Sequence, residues 1–215
     1  ESREIPTTEV PATVLSVASF NTGNFSEPMA FSMRARDHLR HRTHEFDLVH
    51  DNQCLGWGVL LMQERDGDPV LSTIHHPITV DRRLEIQHAR TRWEEFGKRR
   101  WYAFTKMQTQ VAKRMPRVMT VSESSAGDIA KDHRVDPSRI HVVPVGVDPD
   151  LFLPVAGVER VPGRIVTTAS ADVVMKGLKY LLEAIAKLRT ERHVELVIIG
   201  KPNSDSASTK AFEDL

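Results

Sequence analysis

Leu178, Leu181, Leu182, Ile185 and Leu188 recur at i, i+3, i+4, i+7 and i+10, and the run ELVII at 195–199 follows, closed by Gly200. The first pattern is one apolar face of a helix. The second lacks the polar alternation of a half-exposed strand, so it reads as a strand covered on both faces. Such strands belong to parallel sheets flanked by helices. This pair limits the chain to an α/β architecture.

The same alternation runs upstream. Ala12–Phe20 reads as a strand followed by the loop NTGN, and Ser26-Glu27-Pro28 opens a helix with a capping hydroxyl and a first-turn proline. Phe31, Ala35 and Leu39 would form its buried stripe. Phe46–His50 is a short strand, Leu55–Met62 a buried helix stopped at Asp66-Gly67-Asp68, and Val70–Ile74 the next strand. A long helical region from about Val80 to Arg114 ends at Pro116. Then come a strand at Val118–Val121, a helix to about Asp132 with Ser125 and Asp128 in capping-box spacing, and a strand at Ile140–Val143. Ile165–Thr168 precedes the periodic helix, and a last helix starts near Ser206.

Pro149, Pro154, Gly157, Pro162 and Gly163 punctuate the middle of the chain and mark a linker. Residues 1–149 form the first expected domain, 150–163 the linker and 164–215 the start of a second. Two strands and one complete helix cannot enclose a sheet, so the second domain reads as a segment of something longer.

Composition narrows the class of function. Apolar residues at 40% and charged ones at 27% describe a globular chain. No apolar run reaches the ~18 residues of a membrane-spanning helix. The first twenty residues lack the pattern of a secretory signal, and Cys54 is the only cysteine, which points to a reducing cytoplasm. The 29 basic and 29 acidic residues cancel, but positions 82–117 carry eleven Lys/Arg against three acids. That stretch is either a solvated Arg-rich helix face or a footprint for an anionic partner.

In an open parallel sheet, ligands bind beyond the carboxyl ends of the strands. Those ends offer Asp51-Asn52, His75-His76, Ser122-Glu123 and Val145-Gly146. Across the linker they offer Ser170-Ala171-Asp172 and Lys201. Lys176-Gly177 stands at the start of the periodic helix, where free backbone N–H groups favour an anion and a lysine adds a point charge for phosphate. The alternative for Lys176 is an ordinary surface lysine.

The order TIHHP, TVSESSAGDIAK, RIHVVPVGVDPDLFLP, MKGLKYLLEAIAKL and VELVIIG resembles glycosyltransferases of the GT-B fold, family 4. The resemblance implies two Rossmann-like domains facing a cleft, both truncated in this chain, the first lacking its opening strand. It implies transfer of a sugar, with retention and without a metal or other cofactor, from a nucleotide sugar to an acceptor. By resemblance, FDLVHDN matches the aspartate-x-x-histidine strand end and His75 the cleft histidine. Gly146 and Asp148 match the turn before the linker. Lys176 matches the lysine that holds the donor diphosphate.

Ser170 and Ala171 stand where the family usually has an arginine, with Arg164 as a candidate substitute, and Val145 replaces the turn asparagine. The resemblance also brings in lipid-linked or small-molecule acceptors. With them comes a peripheral contact with anionic membrane at the inner face, through 82–117, where Trp93, Phe96, Trp101 and Phe104 interleave with Arg and Lys. Those aromatics are alternatively core contacts.

A helix-turn-helix for nucleic acid needs a second helix after SESSAGDIAKDHRVDPSRI, where IHVVPVG follows instead. A metal site would draw on His75, His76 and Asp81, or on His38, His41 and His44, whose i, i+3, i+6 spacing does not keep three ligands on one helical face. A nucleotide-sugar epimerase or a non-catalytic nucleotide-sugar-binding protein remains an alternative on the same fold.

Overall fold

The computed structural model describes residues 25–168 and 177–200. The expected strand at 12–20 and the helix near 206 lie outside them, as do Ser170, Ala171, Asp172, Lys176 and Lys201. The chain divides into two compact units, Glu1–Gly146 and Val147–Leu215.

In the first unit the order is α1 (Glu27–Leu39), β1 (Val49–Asn52), α2 (Trp57–Leu61), β2 (Val70–Thr73) and α3 (Ile78–Gln87). It continues with α4 (Arg92–Trp101), α5 (Thr105–Arg114), β3 (Val118–Thr120), α6 (Glu123–Asp132) and β4 (Ile140–Val142). The strands form one parallel sheet in the order β1-β2-β3-β4, with Val49 opposite Val70, Ser72 opposite Val118, and Val118 opposite Ile140. Every strand therefore ends on the same edge. The core under this sheet gathers Leu55, Val59, Met62, Ile74, Val111, Met115, Val118 and Ile129.

Several local expectations need correction. The first strand begins three residues later than predicted, so Asp51 and Asn52 lie within it and not beyond it. The stripe of α1 runs through Ala30 and Ser32, with Met29, Ala35 and Leu39 against the core, while Phe31 is 45% exposed. Ser26 occupies the cap position of α1 without a side-chain cap bond. The long helix over 80–114 is three pieces: Thr91 starts a new helix by accepting from the Glu94 N–H at 3.1 Å, and a 3-10 turn at Tyr102–Phe104 separates that helix from the next. Ser122, not Ser125, caps α6, accepting from the Ser125 N–H at 3.1 Å.

Helices α1 and α2 meet at near-contact distance. A Cβ built on Gly58 would lie 2.0 Å from the Ser32 carbonyl oxygen, and one on Gly56 2.1 Å from Ser32 Oγ. The Gly58 N–H donates to Ser32 Oγ at 3.1 Å, and that hydroxyl donates to the Met29 carbonyl at 2.8 Å. Arg36 of α1 forms a two-pronged pair with Asp66 at 2.7 and 2.8 Å, tying the helix to the turn that ends at Gly67. Gly67 has φ 77°, the left-handed conformation glycine adopts without strain.

Beside this pair, Asp68 is 3% exposed and its Oδ2 has no hydrogen-bond partner among the described residues. Burial pushes its carboxyl above the ordinary range, the Asp66 charge adds to this, and Arg36 opposes. A carboxyl with a raised folded-state pKa holds down stability where it is ionised, and the penalty fades as pH falls through that pKa. Asp68→Asn is therefore expected to raise the melting temperature at pH 7, with the gain shrinking toward pH 4. Melting curves across that range check both parts.

In the second unit, β5 (Arg164–Thr167) and β6 (Glu195–Ile198) pair in parallel, Arg164 opposite Glu195, with α7 (Leu178–Arg189) between them in sequence. Leu178, Leu182 and Ile185 are buried, and Leu181 and Leu188 are half-buried, which is the face the periodicity predicts. β6 is half-buried at all four positions and not enclosed on both faces. The described part of this unit supplies one helix for two strands, too little to cover both faces.

Candidate functional site

The carboxyl edge of the first sheet carries the polar groups. Asp51 points inward at 6% exposure: its Oδ1 accepts from the Cys54 N–H at 3.1 Å, and its Oδ2 from the Leu55 N–H at 3.1 Å and Ser72 Oγ at 3.2 Å. Burial pushes this carboxyl up, while the Leu55 and Cys54 amides and the Ser72 hydroxyl hold it down. Its role in the structure is to shape the 51–55 turn. Cys54 beside it is pushed up to about 12, chiefly by burial, with the Asp51 charge adding, so its thiol is not a nucleophile at neutral pH.

Asn52 and His75 come together as their strands end side by side. The register continues from Asn52 opposite Thr73, and Asn52 Oδ1 lies 2.8 Å from His75 Nε2. His75 is exposed at the edge, and the neighbouring exposed His76 places Nε2 3.1 Å from Asp81 Oδ2. His50 Nε2, on β1, lies 2.7 Å from Thr73 Oγ1.

Two residues of this edge were not singled out from sequence. Gln53 accepts from the His75 N–H through Oε1 at 2.7 Å and donates through Nε2 to the His76 carbonyl at 2.9 Å. Gln108, 2% exposed on α5, donates to the carbonyls of Gln53 and Cys54 at 3.2 and 3.3 Å. The signal for Gln108 was present: it shares the buried face of α5 with Met107, Val111 and Ala112, and a buried amide needs partners.

The remaining candidates separate. Ser122 is a helix cap, and Glu123 follows it in the exposed first turn of α6. Gly146 is exposed, and a Cβ there would meet nothing within 4 Å. Asp148 Oδ1 accepts from the N–H groups of Asp150 and Leu151 at 2.9 and 3.3 Å, closing the turn that follows. In the second unit, Gly177 starts α7 at φ 69°, leaving its carbonyl to accept from the Leu181 N–H at 3.1 Å. Arg164 does not suit the substitute role: it sits at the amino end of β5, bound to Glu195 through two contacts at 2.7 and 3.2 Å. That is the end of the sheet opposite the strand terminus that leads to Ser170.

Several cations of the basic stretch are paired with carboxylates. Lys98 pairs with Glu94, Arg99 with Glu95, Arg83 with Asp132 and Arg114 with Glu64. Its aromatics divide. Trp101 stacks on Phe25 at 5.1 Å and Phe104 meets the same ring edge-on at 5.3 Å. Trp93 is 80% and Phe96 50% exposed, stacked on one another at 5.7 Å. No helix among the described residues is long and apolar enough to cross a membrane, and none of their His, Cys, Asp and Glu side chains form a group of three that could hold a metal. Helix α6 leads into the turn at 137–139 and strand β4, without a second helix.

Residues 3–151 match the family model described as Glycosyltransferase Family 4. The chain is 47% identical over 194 residues to the MMP alpha-(1->4)-mannosyltransferase of Mycolicibacterium hassiacum, covering 90% of this chain and 46% of that protein. It is 26% identical over 194 residues to the D-inositol 3-phosphate glycosyltransferase of Streptomyces scabiei, covering 81% and 41%. The protein of that name from Stackebrandtia nassauensis is 27% identical over 177 residues, covering 75% and 38%. The chain spans less than half the length of each of these relatives.

Proposed function

The chain belongs to glycosyltransferase family 4, and on that premise we propose that the protein moves a hexosyl group from a nucleoside-diphosphate sugar to a hydroxyl acceptor, with retention and without a metal. The observation that carries the proposal is the family match over 3–151, which spans the sheet edge where His75 is held by Asn52. The mannosyltransferase relative, at 47% identity, favours mannose as the sugar. The domain plan remains part of the proposal: an acceptor-side domain over 1–149, a linker over 150–163, and a donor-side domain beginning at 164.

Breaking the bond between sugar and diphosphate builds negative charge on the leaving group and positive charge on the anomeric carbon. Groups already aimed at the leaving diphosphate stabilise that transition state without reorganising. Lys176 and the N-terminus of α7 supply a cation and free N–H groups on the donor side. Gly177 suits this role because its left-handed backbone begins α7 without a side chain over the first turn. On the acceptor side, His75 orients a sugar hydroxyl, so that the reacting oxygen and carbon meet in a productive geometry.

The test is a transfer assay on the full-length protein with nucleoside-diphosphate hexoses, scoring nucleoside diphosphate released in the presence of acceptor. Lys176→Ala is expected to weaken donor binding and lower turnover together, by about 100-fold in kcat/KM for a lost charge-assisted contact. Donor affinity unchanged by that substitution contradicts the assignment of Lys176. Epimerised donor with no transfer contradicts the reaction.

A further inference from the structure

We propose that Gln53 is a positioning residue for His75, and that Asn52 determines which ring nitrogen His75 offers to a sugar hydroxyl. The proposal rests on the reading of His75 as the residue that orients the acceptor.

Gln53 has φ 62° and Leu55 φ 49°, both in the left-handed region. For residues other than glycine such a backbone is strained, so it persists only where the surroundings enforce it. Here they do. The Asp51 carboxylate takes the N–H groups of Cys54 and Leu55 from one side, and Gln108 gives its amide protons to the carbonyls of Gln53 and Cys54 from the other. The strained turn throws the Gln53 side chain across to the segment that leaves β2.

There the carboxamide behaves as one more residue of a neighbouring strand. It accepts from the His75 N–H and donates to the His76 carbonyl, which extends the β1–β2 pairing past its last registered pair. Glutamine alone meets both demands: asparagine is one methylene shorter, and glutamate has no proton for the His76 carbonyl. The backbone of His75 is thereby fixed although the residue is exposed.

Asn52 then fixes the ring. With its Oδ1 accepting, His75 Nε2 carries the proton and Nδ1 keeps a lone pair. Nδ1 has no partner among the described residues and is the atom left to accept from a hydroxyl. An exposed histidine without these bonds would spread over its staggered rotamers, and productive geometry would be lost for part of the time.

The experiment uses full-length protein with Asn52→Ala, Asn52→Asp, Gln53→Met and Gln53→Glu, all checked for an unchanged melting transition. Long-range 15N spectra of labelled histidine read the His75 tautomer directly. The wild type is expected to show a fully protonated Nε2 and an unprotonated Nδ1. Asn52→Ala should give averaged shifts, and Asn52→Asp, which keeps an acceptor oxygen, should restore the Nε2 proton. In turnover, Gln53→Met, Gln53→Glu and Asn52→Ala are expected to lose about tenfold or more in kcat, with donor KM changed less than about twofold. Asn52→Asp should retain more activity than Asn52→Ala.

Tautomer shifts indifferent to Asn52→Ala overturn the role of Asn52. Wild-type kcat in Gln53→Met, or a loss confined to KM, overturns the role of Gln53. A fully active His75→Ala variant would remove the reading of His75 beneath the proposal, and the spectra, which need no substrate, keep the two failures apart.

Discussion

Replacing His75 by alanine in the full-length protein is expected to lower kcat by about 10²- to 10³-fold while the melting temperature moves little, the size of effect seen when one preorganised polar group is removed from a transition state. Stability should hold because the side chain is exposed and its ring contact is to Asn52, itself exposed at the strand end. The main-chain bond to Gln53 survives the substitution, since it uses the His75 N–H. Steady-state kinetics with a nucleoside-diphosphate hexose, alongside a melting curve, check the two halves. Loss of activity together with loss of fold would reassign His75 to the structure.

Gly58→Ala has the opposite signature. The added methyl would sit 2.0 Å from the Ser32 carbonyl oxygen and 2.2 Å from its carbon, both backbone atoms that cannot swing aside. Helix α2 must draw away from α1, breaking the Gly58 N–H bond to Ser32 Oγ and loosening the core that Val59 and Leu60 enter. Overpacking of this kind costs roughly 3 kcal/mol. Chemical denaturation should show that loss, against no loss or a small gain for Gly97→Ala, where a Cβ meets nothing within 4 Å and alanine favours the helix. Equal stability of the two variants would contradict the close helix crossing.

These two residues show what the sequence disclosed and what it withheld. His75 was legible because a polar pair after an apolar strand marks the carboxyl edge of a parallel sheet, and the family resemblance drew attention to it. Gly58 was not. Glycine inside a short apolar helix looks the same whether it faces solvent or another backbone, and only the packing of α1 distinguishes them. Gln53 was hidden for a related reason: its importance lies in a left-handed backbone that nothing in the local sequence demands.

The parallel sheet and the order of its elements were legible in the alternation of strand and helix patterns and the turn and proline signals between them, and the apolar face of α7 in its periodicity. The errors were at boundaries. Thr91 is one capping residue in a stretch of helix formers, and it breaks what hydrophobic periodicity reads as a single helix. Phe31 sits one position off the stripe that actually meets the core. β1 keeps its polar end, Asp51 and Asn52, inside the ladder because the Asp51 carboxylate is satisfied by the turn it shapes. The charge run over 82–117 keeps its excess of cations after Glu94 and Glu95 are counted; what linear counting cannot see is that Asp132 and Glu64, distant in sequence, pair with Arg83 and Arg114.

The most direct test of the reaction is the anomeric configuration of the product, read by NMR after the full-length protein acts on a nucleoside-diphosphate hexose and an acceptor with a chelator present. The account predicts a glycosidic product of the same anomeric configuration as the donor. An inverted linkage, or turnover that stops when the chelator is added, would contradict it.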